Sequence, residues 1–121
     1  MNMEEEIKIE SKLAFQTLTS IVLVAFDEVL YFEYKQSSQR WSLNLTNGEC
    51  HKLRNRTTSK LLLSKHLDFV QISQSCIINI KYLQSVENLT LKCKLYPPFS
   101  ETVLNMSQRF YTDLKNRLEM L

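Results

Sequence analysis

The sequence predicts a mainly β fold with two short helices, and three observations carry that prediction. Apolar residues recur with a period of two over most of the chain after Leu13. Asn47-Gly48 separates two alternating segments, a strong short-range hairpin signal, because both residues tolerate positive φ. A helical period of apolar residues appears only in the middle of the chain and at its end, and no β-α-β alternation points to a parallel sheet.

The elements follow in order. Residues 1–11 (M-N-M-E-E-E-I-K-I-E-S) read as an acidic, flexible leader, and residues 12–121 as one folded domain. Ile21 to Phe26 is a nearly continuous apolar run, short enough for a buried strand. Asp27-Glu28 is a tight connection to Val29–Tyr34, a strand rich in aromatic residues. Arg40–Thr46 alternates, with Trp41, Leu43 and Leu45 on one face; the hairpin turn and Glu49–Arg54 follow. Thr57, Thr58 and Ser59 can cap a helix running from Lys60 to Leu67 and ending near Asp68. Phe69–Ser73, Tyr82–Val86, Leu89–Leu95 and Val103–Met106 read as strands, and Tyr96-Pro97-Pro98-Phe99 as a loop, since paired prolines cannot join a ladder. Ser107 caps a last helix whose apolar face is Phe110, Leu114, Leu118 and Leu121.

Composition narrows the function. The 121 residues make one domain, and 44% hydrophobic residues suffice for a packed core. No apolar run approaches the ~20 residues of a membrane helix. The acidic start does not fit a secretory signal, so the expectation is a cytoplasmic protein. Its three cysteines, Cys50, Cys76 and Cys93, are odd in number and lack C-x-x-C spacing, which suits free thiols. Cys76 has no base near it in sequence and reads as small apolar packing. A single glycine cannot build a phosphate-binding loop. His51 and His66 stand at no ligand spacing to a cysteine or carboxylate; His66 reads as a favourable contact of a helix end. Neither an enzyme, a cofactor, a metal nor a small-molecule substrate is expected. Net charge is +2, but it is uneven. The first ten residues hold four Glu against one Lys, so the remainder is basic, with Arg40, Lys52, Arg54, Arg56, Lys60 and Lys65 close together in sequence.

The most informative stretch is F-V-Q-I-S-Q-S-C-I-I-N, Phe69 to Asn79. An alternating strand enters a short uncharged elbow, Ser73-Gln74-Ser75, and leaves through Ile77 and Ile78. It resembles the signature of the LytTR family of bacterial DNA-binding domains, F-x-R-x-H-R-S-[FY]-[IV]-[IV]-N. Phe69, Ser75, Ile77, Ile78 and Asn79 match; Gln71, Ser73 and Gln74 replace the basic letters. Asp27–Tyr34 (D-E-V-L-Y-F-E-Y), Thr58–Leu63 (T-S-K-L-L-L) and Met106–Phe110 (M-S-Q-R-F) are similar to three further family segments in the same order.

The resemblance implies short, mostly antiparallel strands in stacked small sheets, and a transcription regulator that reads duplex DNA with loops entering successive major grooves. Carried over by position, Gln39, Arg40, Gln74 and Arg109 would face bases, while Ser38, Ser73 and Ser75 would hold phosphates, joined by the cations Arg56, Lys60 and Lys65. Arg and Gln suit that role because they pair bidentately with guanine and adenine edges; hydroxyls and cations fix register on phosphate. The resemblance also implies paired direct repeats as target, two copies acting together (a homodimer on DNA), and service as a stand-alone regulator or as the output of a response regulator in a two-component system. Asn79 reads as structural, tying the backbone of the elbow. Two other readings stay open: a protein-interaction module that keeps the fold, favoured by the neutral elbow, and a single-strand binder using an aromatic sheet face.

Overall fold

The alternation produces ten strands and two helices in a computed structural model that describes residues 12–119. The strands are β1 (Lys12–Gln16), β2 (Ile21–Ala25), β3 (Val29–Lys35), β4 (Arg40–Leu45), β5 (Cys50–Lys52), β6 (Phe69–Ser73), β7 (Cys76–Asn79), β8 (Leu83–Val86), β9 (Lys92–Leu95) and β10 (Val103–Asn105). The helices are α1 (Ser59–Leu63) and α2 (Gln108–Glu119). All pairings are antiparallel and form three sheets: β1-β2, β5-β4-β3-β7-β6 and β10-β9-β8. The mainly β class and the stacked small sheets are as expected. The acidic leader lies outside the described residues.

The five-stranded sheet is the middle layer, apolar on both faces. Val29, Phe32, Trp41, Leu43, Phe69 and Ile77 point to one side, against Phe15 and Val24 of the β1–β2 hairpin and Leu62 of α1. Phe32 anchors this side, its ring 5.4 Å from Phe15 and 5.2 Å, edge-on, from Phe69. Leu30, Val70, Ile72, Cys76 and Ile78 face the other side, against Cys93 and Leu95 of β9, Leu104 of β10 and Leu114 of α2. A sheet covered twice explains why β7 reads C-I-I-N without polar alternation.

The Asn47-Gly48 hairpin forms with only Gly48 at positive φ (+92°). Leu45 N–H donates to Glu49 O across a three-residue loop, and the Asn47 side-chain oxygen accepts from Glu49 N–H.

Five local expectations need correction. The run at 21–26 is not a buried strand: Ile21 and Leu23 are 64% and 62% exposed, because β2 packs only its Val22–Val24 side. The mid-chain helix stops at Leu63, not Leu67. Thr58 caps it as expected, accepting from Leu61 N–H, but the chain then turns toward β6 and leaves Leu67 exposed. His66 does not serve a helix dipole; its ring stacks 3.7 Å from Phe26 and its Nδ1 accepts from Asp68 N–H. The strand at 89–95 begins at Lys92, since Leu91 sits at φ +59° after a turn closed by Leu91 N–H to Glu87 O. On α2, Phe110 and Leu114 face the core but Leu118 is half exposed, and Leu121 lies outside the described residues.

Candidate nucleic-acid interface

Antiparallel pairing sets which loops meet. Lys35 pairs with Arg40, and Ser73 with Cys76, so the β3–β4 loop and the β6–β7 elbow leave the same end of the middle sheet. They are tied together: Tyr34 N–H donates to Ser75 O at 2.8 Å. The start of α2 joins them, because Ser107 N–H donates to Ile72 O at 2.8 Å, one residue before the elbow.

Each segment is held by short local bonds. In the β3–β4 loop, Lys35 O accepts from the N–H groups of Ser38 and Gln39 and from the Ser38 hydroxyl. Gln39 closes the loop at φ +54°, a left-handed backbone that a residue with a Cβ adopts at a cost. Its side chain is exposed and that of Arg40 is half-buried. In the elbow, Ser73 Oγ accepts from Ser75 N–H and lies 3.4 Å from Ser75 Oγ. Gln74 stands exposed at the tip. Ser107 caps α2 as expected, its Oγ accepting from Phe110 N–H at 3.5 Å. Arg109, in the first helical turn, makes no ion pair among the described residues; its guanidinium lies 5.5 Å over the Phe110 ring.

A recess of about 370 Å³ separates the elbow from the β10–α2 junction, with Glu33, Ser73, Ser75, Cys76, Asn105 and Ser107 on its walls. Asn105 escaped the sequence reading, which took it as an interior strand residue; it precedes the recognised Met106–Phe110 segment by one position. Burial, reinforced by Glu33 and Cys93, pushes the Cys76 thiol up to about 12. It is therefore protonated at neutral pH and packs as a small apolar group.

Asn79 is structural, but not through the elbow. It stands at the opposite end of β7, where its amide donates to Val29 O (2.9 Å) and Phe26 O (3.2 Å) and its oxygen accepts from Lys81 N–H (3.1 Å). It locks the entry to β3.

The structure thus brings Ser38, Gln39, Arg40, Ser73, Gln74, Ser75 and the Arg109 turn to one end of the molecule. Arg56, Lys60 and Lys65 form a separate group. They lie on the β5–α1 connection, on α1 and just past it, in the layer that covers the β1–β2 side of the sheet, whereas α2 covers the other side. The connection carrying Arg56 does start from the loop end, since Leu53 N–H donates to Trp41 O next to Arg40. No group of three metal-ligating side chains occurs among the described residues, and no helix among them is long and apolar enough to cross a membrane.

Comparison with known proteins agrees with this architecture. The solved structure described as the LytTr DNA-binding domain of a methyl-accepting/DNA response regulator from Bacillus cereus superposes with a TM-score of 0.65 at 16% identity, over 89% of this chain and 96% of that one. No curated protein matches the sequence. The family model of the LytTr DNA-binding domain matches residues 19–119, which takes in all three convergent segments and nine of the ten strands. The chain therefore belongs to the LytTr DNA-binding domain family.

Proposed function

We propose that this domain is a non-enzymatic bacterial transcription regulator that reads specific double-stranded DNA through its loops, in the cytoplasm. The observation that carries the reading is the convergence of the 36–39 loop, the 73–75 elbow and the first turn of α2 on one end of the sheet sandwich. Three short polar projections on a rigid scaffold suit successive major grooves, which admit side chains to a distinct pattern of donors and acceptors.

In this reading Arg109 and Arg40 take guanine edges, and Gln39 and Gln74 take adenine edges. Ser38, Ser73 and Ser75 hold phosphate oxygens, and Arg56, Lys60 and Lys65 add charge from the flank. The replacement of basic signature residues by Gln71, Ser73 and Gln74 shifts the elbow's work from charge to hydrogen bonding. Paired direct repeats bound by two copies, and service as the output of a response regulator, follow from the family's habits.

Selection of bound sequences from a random duplex pool, followed by titrations on the winners, tests the proposal. Arg109→Ala and Gln74→Ala should each weaken the selected duplex by about 1–3 kcal/mol, roughly fivefold to 150-fold, with the fold intact by circular dichroism. Wild-type affinity in both variants would remove these residues from the interface. The rival reading, a protein-interaction module, is favoured by the exposed apolar side chains Leu18, Ile21 and Leu23 on the β1–β2 hairpin. It predicts little duplex affinity at any salt concentration.

A further inference from the structure

Between the β1–β2 hairpin and α1 runs a groove of about 230 Å³, with Phe15, Leu53 and Leu62 as its floor and Ile21 and Leu61 at its rim. It is smaller than the roughly 300–1,000 Å³ of small-molecule pockets and suits one or two side chains of a peptide. Two cations stand over this apolar floor. Lys65 Nζ lies 5.9 Å from the centre of the Phe15 ring, and the Arg54 guanidinium is held toward the groove by Gln16 Oε1 at 2.9 Å. Neither has a carboxylate partner among the described residues. The site asks for a short segment that carries both aliphatic side chains and several carboxylates.

The chain itself contains one. Residues 4–10 read E-E-E-I-K-I-E, two isoleucines set among four glutamates, immediately before β1. Reach is sufficient. The groove touches Ala14, Phe15 and Gln16, so a returning segment must cover the length of β1, about 13 Å at 3.3 Å per residue. Eleven residues extend to about 36–40 Å, enough for a reversal near Ser11 and a return along the strand. β1 leaves room, since among the described residues its side away from β2 is engaged only at its Gln16–Thr17 end, by Leu53 and Arg54. We propose that the groove binds the chain's own acidic segment Glu4–Glu10, with Ile7 or Ile9 on the Phe15–Leu62 floor and glutamates against Arg54 and Lys65.

A tether this short holds the segment at a high effective concentration, so weak contacts suffice. Because it covers Lys65, which the functional reading assigns to phosphate, the segment competes with DNA. That second half rests on the proposed function; the docking does not.

The full chain with Asn2→Cys in a Cys50→Ser background, carrying a nitroxide at residue 2, gives the direct test by NMR without DNA; Cys76 and Cys93 are buried. The amides of Phe15, Leu61 and Leu62 should lose intensity at low salt and regain it with Arg54→Ala and Lys65→Ala combined. No loss at these amides would overturn the docking. So would a loss that persists when the spin-labelled and observed chains are different molecules, which would assign the groove to a second copy. In the DNA arm, Glu4→Gln, Glu5→Gln and Glu6→Gln together should raise affinity for a mixed-sequence duplex about twofold to thirtyfold, the range that two exposed ion pairs give. Intensity loss with unchanged DNA affinity would keep the docking and overturn the competition. Absence of duplex binding in every variant would instead fall on the functional reading.

Discussion

At the scale of single residues, two side chains show how local chemistry fixes this domain. Asn79 is fully buried and makes three hydrogen bonds that close the entry to β3. Asn79→Ala strips partners from two carbonyls and an N–H group in one step, so a loss of about 3 kcal/mol is expected in urea unfolding. An asparagine at the end of a strand could be read as structural from sequence; that it serves residues some fifty positions earlier could not, because only the fold brings them together. Gln39 is the opposite case. It occupies a left-handed backbone that costs a residue with a Cβ about 1–2 kcal/mol, partly offset against glycine by chain entropy. Gln39→Gly should therefore raise stability by about 0.5 kcal/mol while lowering affinity for the preferred duplex. Opposite signs in the two measurements would mark strain retained for recognition; a fall in both would show that the loop needs the glutamine side chain to fold.

Elements were legible where one cue dominated. Phe69–Ser73 emerges with the expected bounds because a short apolar run, Phe69, Val70 and Ile72, is closed by the polar elbow, and the 47–48 turn because glycine takes the positive φ that the loop demands. Reading failed where two cues disagreed. Leu67 stands four residues after Leu63, a helical spacing, yet the chain must turn to present Phe69 to the core, and α1 ends four residues early. Leu91 fits an apolar strand pattern, while its left-handed φ is a property of the turn that no residue preference announces. The convergence of the three candidate segments was available only through the family signature, since nothing local relates Ser38 to Ser107. The cap of α1 gives a test at this scale. Thr58→Ala should cost about 1 kcal/mol, because the five-residue helix owes its first turn to that hydroxyl and carries the fully buried Leu62. An unchanged denaturation midpoint would show that Leu62 packing alone holds the turn.

The whole molecule carries two buried thiols in the layer between the middle sheet and β8–β10. Burial pushes Cys93 up to about 11 and Cys76 to about 12, against an ordinary 9.0. The folded state thus holds these protons more tightly than the unfolded chain. Their stabilising contribution is complete below pH 9 and is lost as pH rises from 9 through 11 to 12. Urea midpoints measured at pH 8 and pH 10.5 should fall at the higher value, and by less in a Cys93→Ala variant compared with itself. At pH 8, iodoacetamide should modify Cys50 alone; fast labelling of Cys76 would mean that the elbow end opens readily.

The bond from Tyr34 N–H to Ser75 O has a consequence for how such a regulator changes its target. It makes the two projections on either side of it one mechanical body, so neither can tilt without carrying the other. Adaptation toward a new operator would then proceed by paired replacements, and intermediates altered on one side alone would pass through a trough of poor binding.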